Sequence, residues 1–104
     1  KHTRLADKCP ILKGDVFAQL RRLETAGQQF DLVFCDPPYH QGLAHRALEQ
    51  LENSQLLAPD AIVIMEYGGD EPELPATTSL QLVKKQQYGK TTQINFYHLP
   101  VEEG

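Results

Sequence analysis

Phe30-Asp31-Leu32-Val33-Phe34-Cys35-Asp36-Pro37-Pro38-Tyr39 is the stretch on which the reading of the fold turns. After Asp31 four residues follow without a polar face, so the segment reads as a strand buried on both sides. It ends at two prolines, which remove two backbone donors and hold φ near about −65°. They also push Asp36 and Pro37 towards extended geometry. From Gly42 to about Leu57, apolar residues recur at helical spacing: Leu43, Ala44, Ala47, Leu48, Leu51 and Leu56. A buried strand, a stiff turn and an amphipathic helix make up the repeating unit of a parallel α/β sheet.

The same alternation extends in both directions. Upstream, Pro10-Ile11-Leu12-Lys13 is a short apolar run closed by Gly14-Asp15. Asp15 suits the N-cap of a helix carrying Val16, Phe17, Leu20 and Leu23, with Gly27 as its stop. Downstream, Pro59-Asp60 is expected to break the chain before a second apolar strand, Ala61-Ile62-Val63-Ile64-Met65, which ends in Glu66. A loop rich in Gly, Pro and acids covers 68–76. Leu80–Val83, extending towards Tyr88, and Gln93–Tyr97 alternate apolar and polar residues on either side of Gly89-Lys90-Thr91. They suit an antiparallel hairpin capping one edge. The expectation is an α/β fold: parallel strands with helices on both faces and a terminal antiparallel hairpin.

Composition bounds the function. The chain has 104 residues, enough for one small domain or a piece of a larger one. Its formal net charge of −4 supplies no global basic field for nucleic acid. Cys9 and Cys35 lack CxxC spacing, which points to buried thiols in a reduced, cytoplasmic protein. There is no apolar run of membrane-spanning length and no signal-like start, so no membrane partner is expected. The first residue is Lys, which reads as a cut end.

In an open α/β sheet, ligands sit outside the carboxyl ends of the strands. Asp36–Tyr39 would hold a carboxylate, acceptor carbonyls and an aromatic ring together at such an end. That set suits a planar amine, whose N–H groups meet the acceptors while the ring stacks on its face. The plainer reading is a tight strand exit in which Asp36 caps the next helix and Tyr39 packs. The apolar strand before the motif and the amphipathic helix after it favour the site. Other candidates are weaker. Glu66 reads more readily as a solvated strand cap than as a cleft residue. Cys35 reads as a core thiol, and His2, His40, His45 and His98 have no metal-ligand spacing. Arg21-Arg22 and Lys84-Lys85 read as solvated faces that, with Lys90, are available to anionic phosphates.

With Gly42-Leu43 opening the next helix, the segment Phe30–Tyr39 resembles the bacterial small-subunit ribosomal RNA guanine-N2 methyltransferase family. Gly14-Asp15-Val16, Ile62-Val63-Ile64-Met65-Glu66 and Tyr88-Gly89-Lys90-Thr91 extend the resemblance over most of the chain. The Asp-Pro-Pro-Tyr tetrapeptide is shared by many amino-methyltransferases and specifies the class. The Tyr-Gly-Lys-Thr turn narrows it to the family. The resemblance implies a Rossmann-like fold and S-adenosyl-L-methionine as cofactor. It implies a catalytic loop of Asp36, Pro37, Pro38 and Tyr39, with Asp36 and the Pro37 carbonyl accepting from the guanine N2 amine and Pro38 shaping the turn. Tyr39 would stack on the flipped base, worth roughly 1–3 kcal/mol. Asp15 and Val16 would meet the cofactor's adenine, and Tyr39 and Lys90 the RNA. The partner would be ribosomal RNA or the assembling small ribosomal subunit, in the cytoplasm.

This sequence departs from the family pattern in one large respect. It lacks the glycine-rich loop after the first strand and the acidic residue that ends the second. Residues 1–104 are therefore expected to be the C-terminal portion of one methyltransferase domain, inactive alone, with the N-terminal cofactor-binding half absent. In the family's fold the missing strands lie between the Ile11–Lys13 strand and the Phe30–Cys35 strand. The expectation is that the Ile11–Lys13 strand is displaced, poorly ordered or paired with a second chain. Competing readings are a DNA adenine-N6 methyltransferase, a protein-glutamine methyltransferase (which would more typically carry Asn at position 36) and a non-catalytic α/β interaction module.

Overall fold

The computed structural model describes residues 9–38 and 42–101. In chain order the elements are β1 (Ile11–Lys13), α1 (Val16–Thr25), β2 (Phe30–Asp36), α2 (Leu43–Glu52), β3 (Leu57–Gly68), β4 (Gln81–Tyr88) and β5 (Thr92–His98). They form one five-stranded sheet in the order β1-β2-β3-β5-β4. β1, β2 and β3 run parallel, and β5 and β4 are antiparallel additions. The chain has the Rossmann-like methyltransferase sheet with a terminal antiparallel hairpin, as its sequence pattern implies.

Local chemistry sets the helix boundaries. The Asp15 carboxylate accepts from the Ala18 amide at 3.2 Å, which satisfies one of the unpaired donors of the first turn of α1. The helix ends at Thr25, and two residues on Gly27 turns the chain away with a φ of 73°, a left-handed conformation that glycine adopts without strain. α2 is shorter than its apolar spacing predicts. It stops at Glu52, and Leu57, which the helical pattern includes, begins β3 instead.

Pro59-Asp60 does not break the strand. β3 runs through it with Asp60 at φ 69° and a register shift against β2 between Phe30 and Leu32. The irregularity absorbs the missing proline donor. The Asp60 amide donates to Leu99 at 2.9 Å, which keeps the ladder to the end of β5 closed.

Two expectations are overturned. β1 is not left unpaired and needs no second chain: Ile11, Leu12 and Lys13 pair in parallel with Phe34, Cys35 and Asp36, so the strand lies directly beside β2, in the place expected of the missing strands. The backbone groups of an isolated strand need partners, and the free edge of β2 supplies them. Nor do the helices lie on both faces. The order β1-β2-β3 advances in one direction, and right-handed crossovers then put both helices on the same side. There α1 and α2 touch, with the Arg46 guanidinium 5.3 Å from the centre of the Phe17 ring. The core lies between them and the sheet, built on Val33, Cys35, Val63, Met65, Leu48 and Leu51. The alternate residues Leu32, Phe34, Ile62, Ile64 and Phe96 stay half-buried on the opposite face. β2 and β3 are thus sealed on one side, not both.

Candidate active site at the carboxyl edge of the sheet

Parallel strands bring their carboxyl ends to one edge, and Asp15, Val16, Asp36, Pro37, Pro38, Glu66 and Lys90 lie along it. Asp36 ends β2, and the register pairs it with Lys13 at the end of β1. On its other side Cys35 pairs with Met65, so Glu66, one residue further along β3, comes beside Asp36. Pro37 is buried and Pro38 exposed, so the turn is anchored at its first proline and open at its second. Tyr39 and His40 lie outside the described residues.

Side-chain alternation puts Asp36 on the uncovered face of the sheet, in line with Leu32 and Phe34. Partial burial raises the Asp36 carboxyl above the ordinary carboxylate range. The charge of Glu66 raises it further, and Lys13 pulls the other way. Cys35, on the sealed face, is pushed up to about 12, first by burial and then by Asp36. A thiol so reluctant to ionise is a core residue and not a nucleophile.

Asp15 and Val16 follow β1 at the same edge. Asp15 is exposed, and its Oδ1 serves the helix cap. The Val16 amide donates to the Gly14 carbonyl at 2.7 Å, so it is committed to the turn, and the Val16 side chain is wholly buried. The tip of the β4–β5 hairpin reaches this edge too, because β5 enters antiparallel with Thr92 opposite Gly68. The Gly69 amide donates to Thr91 at 2.9 Å. A Cβ at position 69 would stand 2.9 Å from the Lys90 carbonyl, so only glycine allows the hairpin to approach so closely. Lys90 is thereby held, exposed, over the same end of the sheet. A cleft of about 290 Å³ opens between Gly42 and His45 at the start of α2 and the loop from Asp70 to Pro75.

Asp15, Val16, Asp36, Pro37, Pro38 and Lys90 therefore lie along one edge of the sheet. Glu66 and Lys13 stand at the same edge of the sheet. Both are strand-ending charges whose meaning depends on strand pairing. Among the described residues no group of three His, Cys, Asp or Glu gathers as metal ligands would. No described helix is long and apolar enough to cross a membrane.

Comparison with known proteins gives these positions a context. A family model described as conserved hypothetical protein 95 matches residues 1–98. The ribosomal RNA small subunit methyltransferase D of Haemophilus influenzae is 39% identical over 70 residues, which are 67% of this chain and 34% of that protein. A solved structure of a candidate methylase from Haemophilus influenzae superposes with a TM-score of 0.61 at 32% identity, covering 70% of this chain and 44% of the other. A candidate methyltransferase from Escherichia coli gives 0.57 at 27% identity, covering 72% and 40%. The chain spans between about a fifth and a third of the length of the curated relatives it matches.

Proposed function

The chain belongs to the family described as conserved hypothetical protein 95, and from that premise we propose that it is the C-terminal portion of an S-adenosyl-L-methionine-dependent methyltransferase acting on the N2 amine of a guanine in small-subunit ribosomal RNA. The observation that carries this reading is the position of Asp36. A carboxylate at the end of a central strand, leading into two prolines, sits in a chain related to a ribosomal RNA small subunit methyltransferase D. The half-exposed apolar face of the sheet supports the proposed incompleteness, since parallel strands of this composition are ordinarily covered on both sides.

The residues perform the chemistry by placement. Asp36 and the Pro37 carbonyl accept hydrogen bonds from the amine, which turns the nitrogen lone pair towards the methyl group. The gain comes from orientation, and from a negative group next to an amine that becomes cationic. The Asp36 carboxylate, next to the amine, is also placed to take up the proton that the methylated amine sheds. Tyr39 stacks on the flipped base, and Lys90 meets phosphate.

The cofactor supplies the electrophilic methyl group. An exposed carboxylate at the same edge, Asp15, fits the amino group of its adenine, and only one Asp15 oxygen is used in the cap. Val16 contributes by holding the turn, because its amide is already bonded to Gly14.

Substitution tests the role of Asp36. In the full-length protein Asp36→Ala is expected to cut methyl transfer by a factor on the order of 10² or more while cofactor affinity stays nearly unchanged. Near-normal turnover by this variant would remove Asp36 from the mechanism.

A further inference from the structure

Asp36 is not the only carboxylate at the amine's proposed seat. The parallel register that sets Cys35 against Met65 carries Glu66 to the position beside Asp36, on a neighbouring strand about 4.8 Å away. Alternation puts both side chains on the same face: Asp36 follows Phe34, and Glu66 follows Ile64. On its far side Glu66 is opposite Ile94 of β5, an apolar residue. Among the described residues, Lys13 flanks Asp36 on its other side. Two acceptor-only groups therefore stand side by side, each able to take a hydrogen bond and unable, when ionised, to give one.

A guanine offers the complement of such a pair. Its N1–H and its 2-amino group are adjacent donors on one edge. Adenine offers an amine beside a bare N1 lone pair, which a carboxylate would repel and leave unsatisfied. We propose that Glu66 is the residue that selects guanine, its carboxylate accepting from the ring N1–H while Asp36 accepts from the 2-amino group. This rests on the function proposed above and deepens it, because it explains why a loop shared with adenine-directed enzymes serves guanine here. The electrostatics agree with the geometry, since the Glu66 charge is felt at Asp36.

The test uses the full-length protein and two RNA substrates, one with guanine at the target position and one with 2-aminopurine. The analogue keeps the 2-amino group and replaces the N1–H donor with an acceptor. The wild-type protein is expected to prefer guanine by about 100-fold or more in kcat/KM, as sites built to bond a substrate N–H do. In Glu66→Gln the side-chain amide can turn either its oxygen or its NH₂ to the ring, and the preference is expected to fall below about tenfold. Glu66→Asp, which keeps the carboxylate, is expected to retain the preference at a lower rate. Each preference is a ratio within one protein, so a variant that folds less well still reports it. Wild-type transfer to guanine with an unchanged preference in Glu66→Gln would overturn the role of Glu66 and leave the proposed function standing. Wild-type failure on guanine would overturn both.

Discussion

The two faces of the sheet carry nearly the same apolar composition and have opposite fates. Under α1 and α2, Cys35, Val63 and Met65 are 0% exposed. On the other side Ile11 is 63% exposed, and Phe34, Ile62, Ile64 and Phe96 are only half-buried. One sequence pattern, an unbroken run of apolar residues, has thus been served by one layer of helices. The sealed face holds the structure together. The open face leads, at its carboxyl edge, into Asp36, Glu66 and Lys13.

Neighbouring residues of β3 give the sharpest contrast. Met65→Ala, on the sealed face, is expected to lower the unfolding free energy of the 104-residue chain by about 2–5 kcal/mol, the usual cost of emptying a packed core site. Ile64→Ala, one residue away on the open face, is expected to cost less, about 1 kcal/mol, because part of its surface already meets water. In the full-length protein the two costs are expected to converge as a second layer covers Ile64. Denaturant unfolding of both variants in both lengths checks this. Equal costs in the short chain would mean that the open face is already covered in solution.

A smaller effect is expected where α2 meets the loop before β4. The Glu52 carboxylate accepts from the amides of Thr78, at 2.6 Å, of Ser79, and of Leu80, at 3.1 Å. Burial pushes its pKa up, but these backbone bonds and the Ser79 hydroxyl outweigh burial and leave it below the usual range. A depressed carboxyl pKa stabilises the fold above the unfolded-state value of about 4.3. That contribution is lost as pH falls through the lower folded-state value. Glu52→Gln is therefore expected to cost about 1 kcal/mol at neutral pH, a figure reduced for solvent exposure, and almost nothing at acid pH. Thermal unfolding at pH 7 and pH 3 measures the difference. An equal loss at both would assign Glu52 a packing role.

What the sequence disclosed follows from the range of each interaction. The cap at Asp15, the stop at Gly27 and the Asp36-Pro37-Pro38 turn are local, set by a few consecutive residues, and all are where their chemistry implies. The end of α2 was harder to read, since Leu56 and Leu57 satisfy a helical spacing and a strand equally well. Strand order was not legible. Ile11–Lys13 carries nothing that names its partner, and the side taken by both helices follows from that order by the handedness of the crossovers. The same limit hid the proximity of Asp36 and Glu66. Thirty residues separate them in sequence, and a parallel register makes them neighbours.

The central claim is the identity of the methylated atom, and the product itself tests it most directly. Full-length protein would be incubated with methyl-labelled S-adenosyl-L-methionine and small-subunit ribosomal RNA lacking the modification, and the RNA then digested to nucleosides. The account predicts label in N2-methylguanosine, abolished by Asp36→Ala. Label in N6-methyladenosine, or in no nucleoside at all, would contradict it.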